Sequence, residues 1–291
     1  MVRRLKIIVA PEIAGGARGW RYFPGQVFIV TVAALIYFGV RMATKGAEVA
    51  AFKNAYDLLT FESTLGLDLE AWSQSAVLDY HWLVTFFNWV YIWLHWPVII
   101  GALLLLYHYN RSRYTLMRNA MIVSGALGLV FFAFFPVAPP RFFDGFTDTV
   151  TELSTSYKYL QPPSVVNKYA ALPSFHVGWN VLACVILFRT VRSIPVRIFA
   201  VASPVLMSVA VVLTGNHWVI DGFVGIALAM IGLYVAHRLG WLTRRWQEPS
   251  EEEDAESTEQ PELAKAGHLE RSQQVLAEVG PAGIEPATER L

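Results

Sequence analysis

The sequence LTGNHWVIDGFVGIALAM, residues 213–230, is typical of a membrane helix apart from two residues, His217 and Asp221. A charged side chain at the centre of a bilayer costs about 2.5–3.5 kcal/mol on insertion scales, so a charge in an apolar span indicates function. Residues i and i+4 lie on one face of a helix. The spacing therefore places the imidazole beside the carboxylate.

The composition of the whole chain agrees with a membrane protein. Of its 291 residues, 55% are hydrophobic and 16% are charged, whereas soluble domains carry about 25% charged residues. The formal net charge is zero and no basic domain occurs, which argues against a nucleic-acid partner. Cys184 is the only cysteine in the sequence, which excludes an intramolecular disulfide and a cysteine-rich metal site.

Six apolar stretches predict membrane helices, because about 20 residues span the hydrocarbon core. The second stretch contains Pro97, at which a kink or tilt is expected. We therefore predict an all-α membrane protein, a bundle of six transmembrane helices with short interfacial helices on the outer face. The predicted spans are residues 24–43, 81–107, 119–137, 174–190, 196–214 and 219–238.

Lys and Arg residues in the connections predict the orientation of the bundle, because cytoplasmic loops are enriched in them. Fourteen lie on the side of both termini and six lie on the opposite side. We expect a multi-pass protein of the plasma membrane whose N- and C-termini are cytoplasmic.

The segments outside the spans differ in character. Residues 1–23 form a predicted cytoplasmic N-terminal segment, and the membrane domain extends over residues 24–245. Residues 44–80 are amphipathic and predict two short helices on the outer surface. The outer connection 138–173 is long enough to indicate a function. Residues 246–291 are polar and acidic, which predicts a disordered cytoplasmic tail.

This topology brings five polar residues to the extracytoplasmic face from separate hairpins. His217 and Asp221 open the sixth span, Ser174 and His176 open the fourth, and Arg141 follows the third. Helix N-termini bind anions and arginine binds phosphate oxygens bidentately. A histidine oriented by a carboxylate is a nucleophile, and a second histidine can protonate a leaving oxygen. The set suits a phosphate monoester or diester, with no metal and no cofactor.

Each residue alone also has a structural explanation. The His217–Asp221 pair could be a local hydrogen bond at a helix end, Ser174 a helix N-cap, and Arg141 an interfacial charge. Asn216 is interpreted as the cap of the sixth span, with contact to the substrate as the alternative, and His95 as an interfacial histidine among Trp and Tyr residues. Only the joint occurrence at one face favours catalysis.

Three other functions stay open on the residues alone. The first is a metal-dependent membrane hydrolase or oxidase with His176, His217 and Asp221 as ligands. The second is an intramembrane serine protease that uses Ser174 and His217. The third is a transporter or scaffold without catalysis.

At these residues the sequence resembles the type 2 phosphatidic acid phosphatase superfamily. The superfamily motifs Pro-Ser-x-His and His-x-x-x-Asp read PSFH at 173–176 and HWVID at 217–221, with the two histidines 41 positions apart. Arg141, in PPR, matches the arginine that ends the first superfamily motif. The resemblance extends over roughly residues 25–240.

The departures from the superfamily pattern point to one branch. Phe134 stands where the usual first motif has lysine, and Ala210 and Val211 stand where the third has Ser-Arg. The pattern APPR, LPSxHVGW and TGNHWVID resembles the inositol phosphorylceramide synthase-like branch, which includes phosphotransferases.

The resemblance implies an enzyme, either a lipid phosphatase or a phosphotransferase. His217 would attack phosphorus to form a phosphohistidine, oriented by Asp221, while His176 protonates the leaving alcohol and then activates the acceptor. Arg141 and Ser174 would hold the phosphoryl oxygens. The implied partners are a membrane lipid phosphate or phosphodiester and water, an alcohol or inositol as acceptor.

Overall fold

The computed structural model describes residues 22–43, 47–153 and 168–244. These ranges are helical and contain no strand; one isolated parallel bridge joins Val137 to Ala170. Most of the predicted N-terminal segment, the middle of the outer connection and the acidic tail lie outside the described residues. The helices as far as Leu239 form one compact unit. Of the second unit only residues 240–244 are described, as the last turn of the final helix.

Nine α-helices make up the described part of the chain. A 3₁₀ turn at Pro140–Phe142 follows the fifth of them. Numbered in chain order, the helices are α1 Phe23–Ala43, α2 Glu48–Leu65, α3 Glu70–Leu78, α4 His81–Tyr109, α5 Arg111–Phe134, α6 Thr149–Leu153, α7 Phe175–Thr190, α8 Ile194–Leu213 and α9 Val219–Arg244.

Four of the six predicted spans are confirmed as helices long and apolar enough to cross a membrane. They are α4, α5, α8 and the Val219–Leu239 part of α9. The apolar part of α1, Phe23–Gly39, and helix α7 are shorter. At 1.5 Å per residue, the 16 residues of α7 extend about 24 Å, less than the ~30 Å hydrocarbon core. The count of six spans therefore stays a prediction.

The expected irregularity near Pro97 is a π-helical turn inside α4, at Val90–Leu94. Proline has no N–H, and its ring clashes with the carbonyl four residues earlier, here that of Trp93. A π turn at that position relieves the clash, and such turns are frequent at functional sites. Tyr91 and His95, at the two ends of the turn, both contact His176.

Two short helices, α2 and α3, lie where the amphipathic pattern predicts them. Ala51 and Ala55 of α2 are fully buried. Three long polar side chains of these helices, Glu62, Glu70 and Gln74, are also buried, with at most 1% exposure. A surface helix buries an apolar stripe, so polar groups on the buried face indicate a specific partner inside the protein.

The main hydrophobic core lies between α4, α5, α7 and α9, and includes Leu106, Met117 and Leu182. Within it α7 and α9 touch backbone to backbone. A Cβ at Gly178 would stand 2.3 Å from the carbonyl oxygen of Gly225, and a Cβ at Gly225 would stand 2.1 Å from that of Ser174. Small residues permit this approach of two helices in a membrane protein.

Substitution of Gly225 by alanine should destabilise the protein by about 3 kcal/mol, because an added methyl must displace backbone. Gly101→Ala, at a helical position with no atom within 4 Å of the added Cβ, is the matched control. Thermal unfolding of both variants in detergent measures the difference. Equal melting temperatures for the two variants would show that α7 and α9 are not in backbone contact.

Candidate active site

The loop between α8 and α9 places His217. Gly215 has a φ of 67°, a left-handed conformation that favours glycine, and it turns the chain out of α8. The backbone N–H groups of Asn216 and His217 both donate to the carbonyl of Val211. His217 is therefore fixed by its backbone, and its side chain is 6% exposed.

The surroundings of His217 assign its tautomer. Its Nδ1 lies 2.8 Å from the carbonyl oxygen of Ala171 and 3.3 Å from Oδ2 of Asp221. Both neighbours accept hydrogen bonds, so Nδ1 carries the hydrogen and donates it. In the neutral ring, Nε2 then holds the lone pair that can act as a nucleophile.

Asp221 lies in the first turn of α9 and is fully buried. Its Oδ2 accepts a hydrogen bond from the backbone N–H of Trp218 at 2.9 Å as well as facing His217. Its backbone carbonyl accepts from the N–H of Ser174 at 2.9 Å. Asp221 therefore joins the two segments that carry the histidines.

His176 occupies the first turn of α7 and is held by aromatic contacts. The Tyr91 ring stacks on it at 4.7 Å, with 25° between the planes, and the His95 ring lies 4.6 Å away. Its ring centroid is 6.0 Å from that of His217. The structure thus brings the two predicted histidines together.

Arg141 reaches the site from the 3₁₀ turn after α5. Its backbone N–H donates to the carbonyl of Gly215 at 2.9 Å, which joins this turn to the His217 loop. Its guanidinium donates to Oδ1 of Asn216 and pairs with Asp148 at 3.4 Å. The arginine is oriented by these partners without a ligand.

A cavity of about 350 Å³ connects these groups. Arg141, His176 and His217 line one part of it, together with Lys168. The rest of the lining is mainly apolar and comes from α1, α4, α5 and α7, including Leu129. The cavity offers cations and imidazoles to an anion and apolar walls to a hydrocarbon.

Ser174 is placed differently from the other predicted residues. It occupies the N-cap position of α7, but its side chain makes no capping hydrogen bond. It is fully buried, is not among the residues that line the cavity, and its Oγ lacks a hydrogen-bond partner among the described residues. Buried hydroxyls usually have a partner, but this one is separated from the cavity that Arg141, His176 and His217 line.

Two structural interpretations from the sequence are wrong. Asn216 does not cap α9; its Nδ2 donates to the carbonyl and hydroxyl oxygens of Thr214 and its Oδ1 accepts from Arg141. His95 is not interfacial; it lies near the middle of the 29-residue helix α4, is 3% exposed, and contacts Asn180 at 3.0 Å.

Three residues at the site were missed by sequence reasoning. Tyr91 and His95 lie four residues apart on α4, a spacing that puts them on one helix face. Lys168 is a cation in the outer connection close to PSFH in the sequence. These signals were present, but Tyr91 and His95 lie in a stretch rich in Trp and Tyr, which by itself suggests an interfacial aromatic belt.

The positions that depart from the superfamily pattern carry apolar side chains with ordinary surroundings. Phe134 is 83% exposed at the end of α5. Ala210 and Val211 are buried in the cluster that α8 forms with the π turn of α4. These three positions therefore supply no positive charge to the site. Lys168 lines the cavity in addition to Arg141.

A family model agrees with this geometry. The model described as PAP2 superfamily matches residues 56–235, which include α3 to α8, both histidines and Asp221. The chain belongs to the PAP2 superfamily. Membership indicates a membrane enzyme of the phosphatase type. No curated protein and no solved structure matches the chain significantly.

The PAP2 match covers both predicted motifs and Arg141. Over the described ranges, no group of three or more His, Cys, Asp and Glu residues is placed to hold a metal ion. The contacts of His217 show an imidazole that is oriented by a carboxylate and a carbonyl oxygen at the wall of the cavity.

Proposed function

We propose that this PAP2 superfamily protein is an integral-membrane lipid phosphatase or phosphotransferase that acts through a phosphohistidine. One observation carries the proposal: two imidazoles 6.0 Å apart share a cavity with a guanidinium and apolar walls. A tetrahedral phosphoryl group between the rings can meet a nucleophile on one side and a proton donor on the other.

In the first step, Nε2 of His217 forms a bond to phosphorus as the bond from phosphorus to the leaving oxygen breaks. Protonated His176 gives its proton to that oxygen, which departs as an alcohol. The hydrogen bond from Nδ1 to Asp221 and Ala171 stabilises the positive charge that develops on His217. Arg141 balances the negative charge on the phosphoryl oxygens.

In the second step, neutral His176 takes a proton from the acceptor. The acceptor oxygen bonds to phosphorus, the phosphorus–nitrogen bond breaks, and the electron pair returns to His217. Water as the acceptor gives a hydrolase, and an alcohol or inositol gives a transferase. The inositol alternative is supported by the motif pattern of the sequence. The resemblance implies that Ser174 donates to a phosphoryl oxygen; its hydroxyl is buried outside the cavity wall and would have to turn toward the cavity to do so.

The apolar lining supports a lipid substrate. On α5 the lining residues extend from Arg118 to Phe132, which at 1.5 Å per residue is roughly 20 Å. A hydrocarbon chain could lie along this wall without leaving an apolar environment, because lipid tails and apolar side chains are about equally hydrophobic.

The placement in the membrane is part of the proposal. Six spans put the site at the extracytoplasmic face of the plasma membrane, with short helices α2 and α3 on the outer surface and both termini in the cytoplasm. The positive-inside pattern of the sequence supports this orientation. The lipid phosphate would then be reached from the outer leaflet.

Purified protein tested on a panel of lipid phosphates and phosphodiesters measures the proposed activity directly. We expect phosphate release or headgroup exchange, with and without inositol as acceptor, that persists in EDTA and is inhibited by vanadate. Turnover that is lost in EDTA and restored by a divalent ion would show a metal-dependent hydrolase. The absence of turnover on every donor would favour a transporter or scaffold.

A further inference from the structure

Two buried carboxyl groups lie outside the predicted site, at the start of α9. Oε1 of Glu70 accepts a hydrogen bond from the backbone N–H of Val219 at 2.7 Å, and Oε1 of Glu62 accepts from that of Ile220 at 2.6 Å. The exposed fractions of the two side chains are 1% and 0%. The first N–H groups of a helix have no partner within the helix. Here side chains from α2 and α3 supply the partners.

These contacts act on the proposed catalytic machinery at short range. Val219 and Ile220 stand between His217 and Asp221 in the sequence, so the glutamates hold the backbone that sets the imidazole–carboxylate contact. Gln74 of α3 adds a third attachment, because its Nε2 donates to the carbonyl of Leu213 at 3.2 Å. One surface of α2 and α3 therefore holds the whole turn from α8 to α9.

The charge state of the pair follows from its surroundings. Oε2 of Glu62 is buried and has no hydrogen-bond partner among the described residues, and an ionised oxygen in that position would be costly. The charged groups that act on the pair are the two carboxylates themselves and Asp221. A third negative charge in one buried cluster is unfavourable. The geometry thus favours a protonated Glu62 beside an ionised Glu70.

We propose that Glu62 and Glu70 are positioning residues that hold the first turn of α9 while they share a single negative charge, and that loss of the remaining proton lowers turnover. This inference rests on the proposed function for its kinetic readout. Burial is the main cause that raises the pKa of Glu62 to about 8, and repulsion by Glu70 and Asp221 raises it further. The hydrogen bond from the backbone N–H of Ile220 acts in the opposite direction. Burial likewise raises the pKa of Glu70.

The kinetic test compares Glu62→Gln, Glu62→Ala and Glu70→Ala with Asp57→Asn. Asp57 is the control because it lies on the same helix, is 62% exposed and pairs only with Lys53 among the described residues. We expect kcat to fall about tenfold or more in the alanine variants with KM nearly unchanged, since a small misplacement of reacting groups is costly. Glu62→Gln keeps an acceptor oxygen and should restore most of kcat.

The pH profile separates positioning from a merely structural role. Wild-type kcat should decline as pH rises through about 8. Glu62→Gln has no proton to lose at this position and should show a smaller decline, namely the part that both enzymes share because the first step needs a protonated His176. Wild-type kcat in both alanine variants, or an unchanged alkaline decline in Glu62→Gln, would overturn the proposal.

A second measurement does not depend on the enzyme activity. A carboxyl whose folded pKa is raised favours folding below its unfolded pKa, and this contribution is lost as pH rises through the folded value. The melting temperature of the wild-type protein should therefore fall between pH 4.5 and about 8, and that of Glu62→Gln should fall less. If no lipid is turned over but this difference appears, the proposed function fails and the attachment of α9 stands. If the melting temperatures of the wild-type protein and Glu62→Gln changed with pH in parallel, the proposal that Glu62 and Glu70 share a single negative charge would be rejected.

Discussion

His217→Ala should abolish lipid phosphate turnover, with kcat reduced by about 10⁴-fold or more, as is usual when a nucleophile is removed. In the proposed mechanism His217 forms the only bond between the protein and phosphorus, and its Nδ1 is already oriented by Ala171 and Asp221. The measurement is single-turnover chemistry with a labelled donor. Wild-type protein should also retain label on a histidine after an alkaline quench, and the variant should not.

The matched control is His81→Ala, since His81 is an exposed histidine at the start of α4. It should turn over lipid at the wild-type rate. Thermal unfolding of both variants separates loss of chemistry from loss of fold. Turnover by His217→Ala at the wild-type rate would assign the nucleophile to another residue.

His176→Ala should affect the two steps of the reaction in a way that depends on the leaving group. Alkyl phosphates need a proton on the departing oxygen, so their first step should slow by about 10²–10⁴-fold. An aryl phosphate whose nitrophenolate leaves without a proton should lose less than about tenfold in that step. The second step still lacks a base, so the phosphoenzyme should accumulate.

Rapid-quench measurement of nitrophenolate release and of bound label tests this pattern. His217→Ala should abolish release of both the alkyl and the aryl leaving group. This variant is therefore the comparison for His176→Ala in the same experiment. Equal losses for alkyl and aryl donors in His176→Ala would show that His176 does not act as the general acid.

The helices were predictable because apolar length and helical periodicity are local properties of the chain. Four of the predicted spans appear as helices long and apolar enough to cross a membrane, and the amphipathic stretch that contains Glu62 appears as α2 and α3. The predicted span 174–190 agrees with α7, Phe175–Thr190, to within one residue. The hydrogen bond from the backbone N–H of Ser174 to the carbonyl of Asp221 in another helix was not predictable. Such a contact has no signature in the local sequence.

The two histidines and Arg141 were predictable as a group because each belongs to a motif at the end of a predicted span. The residues that position these side chains were not predictable. The rings of Tyr91 and His95 contact His176 only because α4 packs against α7. Glu62 and Glu70 stand on amphipathic helices, where acidic residues ordinarily face water. Their burial against α9 depends on tertiary packing, which periodicity does not encode.

Because of the backbone contact between Gly225 and Ser174, the distance between the two histidines and the shape of the cavity wall depend on different atoms. The distance between the histidines is set by main-chain atoms of α7 and α9, whereas much of the apolar cavity wall is built from side chains of α1 and α5. If the protein has the proposed function, substitutions in that wall should alter which hydrocarbon chain is accepted and leave the spacing of the two histidines unchanged. A change in lipid selectivity would then require no compensating substitution among the residues that hold His176 and His217.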